Sequence, residues 1–218
     1  MVHDERGASP IHLVALVGNP NSGKTTLFNA LTGLRQRVGN YPGVTVERKE
    51  GRLRLSEELE ATLLDLPGTY SLVPGSPDEQ IATDILLGTA RHTPLPDAVI
   101  CVVDASHLER NLYLVSQIID RGLTTVIALN MIDIAESSGI RIDVRSLARE
   151  LGVPVIPTVA NRSEGIKELA SALAASGAGN SPADGWHLPG PVERETDELA
   201  GILQEVHHIP PRTPGMKR

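Results

Sequence analysis

The chain has 218 residues, 40% of them apolar, enough for one sizeable core and a small appendage. Aromatic residues make up only 2%, so Val, Ile, Leu and Ala must fill that core. A formal charge of −7 argues against nucleic acid or an anionic membrane as main partner, since both need clustered Lys and Arg, and the single cysteine, Cys101, excludes an internal disulfide and suits a reducing compartment.

Residues 1–10 read as a polar arm without the apolar stretch of a secretory leader. Ile11–Val17 predicts a strand, followed by a glycine-rich turn and a helix from about Lys24 to Thr32. Val46–Leu55 and Ala61–Leu64 predict a strand pair turning at Glu57 and Glu58. Ser76-Pro77-Asp78-Glu79 predicts a helix start, with Ser as cap, Pro in the first turn and Glu three residues on. Ala98–Val103 predicts a buried strand, and Ser106-His107-Leu108-Glu109 repeats the capping pattern before a helix to about Arg121. Thr125–Leu129 is another strand, Asp143 caps a helix to Leu151, Val153–Ile156 is the last strand, and Ser163–Ala175 is a helix. Six strands alternating with helices predict an α/β domain over 11–176, with a mostly parallel sheet and helices on both faces.

None of these apolar runs is long enough to cross a bilayer as a helix. Residues 177–191 read as a linker, 192–208 as a short helical appendage with Leu199, Ile202, Leu203 and Val206 on one face, and 209–218 as a disordered tail. A lone helix of that length is marginal in water, so it must dock on its own domain, exchange or pair with a second chain into a homodimer, or fray. The seven histidines show no metal-binding spacing.

Three motifs carry chemistry. Gly18-Asn19-Pro20-Asn21-Ser22-Gly23-Lys24-Thr25 matches G-x-x-x-x-G-K-[ST] between a strand and a helix. Its backbone N–H groups, through Thr26, face a phosphate at the positive end of the helix; Lys24 adds a point charge and the Thr25 hydroxyl a ligand for Mg²⁺. Asp65-Leu66-Pro67-Gly68 ends a strand, where the Asp65 carboxylate reaches Mg²⁺ through water and Gly68 offers an N–H to a γ-phosphate. In Asn130-Met131-Ile132-Asp133 the Asp133 carboxylate can accept from the N1–H and 2-amino group of guanine, an edge adenine lacks, while Asn130 ties the base to the P-loop.

The order of these motifs resembles the Ras-like P-loop GTPase superfamily. More narrowly, the run from Gly18 through Gly33, Gly39-Asn-Tyr-Pro-Gly-Val-Thr-Val-Glu and Asp65-Leu-Pro-Gly-Thr-Tyr-Ser-Leu are similar to the N-terminal G domain of the bacterial ferrous-iron transport protein B family, over roughly residues 10–175. That resemblance implies a six-stranded sheet with one antiparallel strand. It implies a cytosolic portion of a longer protein, at the cytoplasmic face of the inner membrane. There it would bind GTP and GDP, hydrolyse GTP slowly, and regulate ferrous-iron transport by a membrane domain of the same polypeptide. Thr45 becomes the switch I threonine that closes on Mg²⁺, so that Asn21, Lys24, Thr45 and Gly68 form the catalytic set. Thr158-Val159-Ala160 takes the place of the third base-contacting loop, with alanine where a serine is usual.

Thr69 stands where Ras-like enzymes carry a water-orienting glutamine. The family likeness implies a substitute: K⁺ held by Asn21 and the carbonyls of Gly39 and Tyr41. Two other readings share the motifs. One is a guanine-nucleotide sensor with negligible turnover; the other is a GTPase of ribosome or tRNA maturation, which the acidic balance does not encourage.

Overall fold

A computed structural model describes residues 11–176. The N-terminal arm, linker, appendage and tail expected from the sequence lie outside the described residues.

The domain contains β1 (Leu13–Gly18), α1 (Lys24–Thr32), β2 (Gln36–Asn40), β3 (Glu47–Arg54), β4 (Glu60–Asp65), α2 (Pro77–Leu86), β5 (Ala98–Asp104), α3 (Leu108–Asp120), β6 (Thr125–Asn130), α4 (Ile132–Ser137), α5 (Val144–Leu151), β7 (Val155–Pro157) and α6 (Ile166–Ser176). The sheet order is β2-β3-β4-β1-β5-β6-β7. β3 pairs antiparallel with both β2 and β4, and the other pairings are parallel, so β3 alone runs against the sheet.

Seven strands replace the six expected. The addition, β2, is Gln-Arg-Val-Gly-Asn at the sheet edge, and all five residues are exposed. An edge strand with neither face buried has no apolar alternation to betray it.

Two cores flank the sheet. Val99, Cys101, Ile127 and Leu129 pack under α2, α3 and α5 on one face, and Leu16, Ile100, Val126 and Ala128 under α1 and α6 on the other. β5 and β6, buried on both faces, are therefore continuous apolar runs rather than alternating ones. Burial pushes the Cys101 thiol well above its usual range, in keeping with a core side chain.

The capping expectations divide. Ser76 accepts from the Glu79 N–H, and Asp143 accepts from the Ser146 N–H, which holds the Asp143 carboxyl below its usual range. Ser106 does not cap α3: Asp104 accepts from the Ser106 N–H to start a 3₁₀ turn, and α3 begins after it without a side-chain cap. The last helix starts at Ile166 rather than Ser163, because Ser163 adopts φ 56° and Val159 bridges Glu164 just before it.

Candidate nucleotide site

The loop between β1 and α1 is built on two positive φ angles, 67° at Asn21 and 84° at Gly23. Gly23 has a second constraint: a Cβ there would lie 2.2 Å from Asn130 Nδ2. The loop closes on itself through Ser22 N–H donating to the Asn19 carbonyl at 3.2 Å. It opens onto two adjoining clefts. One, of about 460 Å³, is lined by Lys24, Thr25, Thr45, Lys49, Asp65 and Gly68 among others. The second, of about 480 Å³, adds Asn19, Asn21, Gly23, Thr26 and Met131. Lys24, Thr25 and Gly68 belong to both, so one groove runs from the Met131 end across the P-loop to switch I.

At the phosphate end, β4 delivers Asp65 opposite α1, and Lys24 Nζ lies 2.5 Å from its Oδ1. Thr25, Thr45 and Asp65 therefore present two hydroxyls and a carboxylate to one cleft. This all-oxygen donor set, short of a full protein cage, fits Mg²⁺ sharing its coordination with phosphate and water. Among the described residues no group of three His, Cys, Asp or Glu could hold a metal by itself.

At the base end, Asn130 closes β6 and is 2% exposed. Its Nδ2 donates to the Ser22 carbonyl at 3.0 Å; its Oδ1 accepts from the Ala160 N–H at 3.1 Å and the Thr158 hydroxyl at 3.4 Å. One amide thus joins the P-loop to the Thr158–Ala160 loop, and the Ala160 N–H expected at the base is engaged by protein instead. Val159 packs buried between them. Met131, at φ 59°, turns the chain into α4 and brings Asp133 to its first turn, with the carboxylate 28% exposed.

Sequence reasoning found no role for Arg162, whose Nη2 stands 3.7 Å from Asp133 Oδ2. It also overlooked Lys49 and Asp78, which line the metal-side cleft.

The switch residues are placed unevenly. Thr69 is fully buried; its N–H donates to the Gly18 carbonyl at 3.2 Å and its hydroxyl to the Ser71 carbonyl at 2.7 Å. Its hydroxyl and its N–H are thus both engaged by the protein. Gly39 is paired with Arg48 in the β2–β3 ladder. The Tyr41 carbonyl accepts from the Val44 N–H at 3.2 Å, and its buried hydroxyl donates to the Asp65 carbonyl at 3.3 Å, with burial raising its pKa above the usual phenol range. Neither residue lines the cleft that holds Asn21, so the donor set expected for K⁺ does not converge in this structure.

A mostly parallel sheet, a P-loop at the end of β1, an aspartate at the end of β4 and the Asn130–Asp133 motif after β6 define a Ras-like P-loop GTPase domain. Residues 12–173 match the family described as ferrous iron transport protein B (FeoB), and the chain belongs to that family through its N-terminal G domain. It is 51% identical over 197 residues to the Fe(2+) transporter FeoB of Salmonella typhimurium, covering 88% of this chain and 24% of that protein. The chain thus spans about a quarter of that relative's length. The cytosolic domain of L. pneumophila FeoB superimposes with a TM-score of 0.76 at 44% identity, covering 89% of this chain and 75% of that one. The cytosolic domain of the T. maritima FeoB iron transporter in a GDP form gives 0.78 at 40% identity, over 90% and 76%. Among the described residues no helix is long and apolar enough to cross a membrane.

Proposed function

We propose that this domain binds GTP and GDP, hydrolyses GTP slowly, and acts as the nucleotide switch of a ferrous-iron transporter at the cytoplasmic face of the inner membrane. The observation that carries the reading is the single groove lined by Lys24, Thr25, Thr45, Asp65 and Gly68 at one end and by Met131, two residues before Asp133, at the other. Lys24 supplies a fixed cation to the phosphate oxygens, and the P-loop N–H groups orient them at the α1 N-terminus. Thr25, Thr45 and Asp65 would hold Mg²⁺, which neutralises charge on the β and γ oxygens when bound. Gly68 lies close against Pro20, where a Cβ would sit 3.2 Å from Pro20 Cγ, and would offer its backbone N–H to the γ-phosphate. Asp133 reads guanine.

Thr69, which follows Gly68 where a glutamine would orient water, has its hydroxyl bound to the Ser71 carbonyl. That favours a low intrinsic rate, and in the limit a nucleotide sensor that signals by binding alone. The test is titration with fluorescent GDP, GTP and ATP analogues, followed by single-turnover hydrolysis in KCl and in NaCl. Tight guanine-selective binding with measurable Mg²⁺-dependent turnover supports a GTPase. Binding without turnover leaves the sensor, and equal affinity for ATP overturns both. A large excess of rate in KCl would mean that switch I rearranges, opening the Gly39–Arg48 pairing and releasing the Tyr41 carbonyl from the Val44 N–H.

A further inference from the structure

We propose that Arg162 is a positioning residue for the base-reading carboxylate, closing the Thr158–Arg162 loop onto Asp133 and so setting how fast guanine nucleotide leaves. The proposal rests on the guanine reading of Asp133. The two loops that meet at the base end are joined at two points. The inner one is Asn130, buried and hydrogen-bonded to Ser22, Thr158 and Ala160. The outer one is Arg162 Nη2 against Asp133 Oδ2 at 3.7 Å, with side chains 62% and 28% exposed.

The backbone under Arg162 is fixed. Its N–H donates to the Val159 carbonyl at 2.9 Å, and Val159 and Glu164 exchange both hydrogen bonds at 3.2 and 3.3 Å. Ser163 at φ 56° ends the 3₁₀ turn, and the Gly165 α-carbon sits where a Cβ would lie 2.1 Å from the Pro157 carbonyl. The guanidinium is therefore delivered by a closed loop rather than by a free segment.

A carboxylate offers about four lone-pair sites, so Asp133 can accept two bonds from guanine while still facing a cation. Arg162 keeps one oxygen oriented and holds the loop over the base edge. Because the outer contact is exposed, salt must weaken it, whereas the Asn130 bonds stay shielded.

The experiment measures dissociation of fluorescent GDP from the chain as it stands, in about 0.05 and about 0.5 M NaCl. Arg162→Ala should speed release about two- to fivefold at low salt, the range of an exposed ion pair. The acceleration by salt expected in the parent should be largely absent in the variant, and Arg162→Lys should restore part of it. In an Asp133→Asn background, followed with fluorescent xanthosine diphosphate, Arg162→Ala should change nothing, an outcome that a purely structural role would not give. If Asp133→Asn alone leaves the preference for GTP over xanthosine triphosphate intact, the guanine reading falls and this proposal with it. If Asp133→Asn acts as expected but Arg162→Ala leaves both the rate and its salt response unchanged, this proposal alone is overturned.

Discussion

Asn130, bonded to the P-loop, and Val38, opposite Lys49 in the edge ladder, lie in surroundings that differ in kind. Asn130 is 2% exposed and spends its amide on three partners far apart in sequence. Val38 lies in an edge strand with every residue in solvent, held only through the β2–β3 ladder. The segment after Gly68, here called switch II, is intermediate: the buried Thr69 donates its N–H to the Gly18 carbonyl, the Arg110 guanidinium lies 4.2 Å from the Tyr70 ring centroid, and the Leu72 N–H donates to Gln117 Oε1 at 2.7 Å. On the proposed function, one end must grip a base while a loop at the other reports a phosphate, and this gradient suits that division. Local opening is cheapest where few apolar contacts and many exposed hydrogen bonds hold the chain.

Removing the inner amide is the strongest way to break the contrast. Asn130→Ala leaves the Ala160 N–H and the Ser22 carbonyl without their partner, each costing about 1–3 kcal/mol when buried. We expect a loss of about 2–4 kcal/mol in urea unfolding and a fall in GDP affinity on the order of a hundredfold. Gly23→Ala should reproduce part of this, since its Cβ would drive into Asn130 Nδ2 at an unfavourable φ of 84°. A variant that unfolds and binds like the parent would mean that the base end is not knitted by Asn130.

The switch side has one tight point, and it sharpens the contrast. Gly51 of β3 lies against α1 so closely that a Cβ would meet Thr32 Cγ2 at 2.3 Å and Phe28 Cζ at 3.1 Å. Gly51→Ala should cost about 1–3 kcal/mol by overpacking. The root of switch I is thus rigid although β2 beyond it is not, and a neutral result in thermal melts would extend the loose region into β3.

Gln117→Ala probes the intermediate case. Its side chain is the partner of the Leu72 N–H, a bond worth about 1 kcal/mol. Amide exchange at Leu72 should speed by about fivefold while the global unfolding midpoint stays put. Unchanged exchange would place the hold on switch II at Tyr70 and Thr69 alone.

How legible this was in the sequence follows the same gradient. The P-loop helix reads at its observed bounds, Lys24 and Thr32, because a glycine-rich turn and an apolar stripe mark both its start and its face. β5 and β6 read as apolar runs because both faces are buried. β2 could not be read, since periodicity records burial and β2 has none. Ser106-x-x-Glu109 misled because Asp104, two residues earlier, takes the Ser106 N–H for a tighter turn. The motif residues were legible as types, but their joints were not: Asn130 to Ser22 spans 108 positions, and Arg162 to Asp133 is an ion pair with no local pattern.

The smallest expected effect is the most direct check on the exposed end. Val38 faces Lys49 across the ladder and is 56% exposed, so burial contributes little of its fit. Threonine keeps the branched Cβ that suits a strand and replaces a methyl already facing water. Val38→Thr should therefore change stability by less than about 0.5 kcal/mol, with the urea m-value unchanged. A loss above about 1 kcal/mol would show Val38 to be covered in solution, since an exposed methyl has no such free energy to give up. Switch I would then pack more like Asn130 than like an edge strand, and the gradient would disappear.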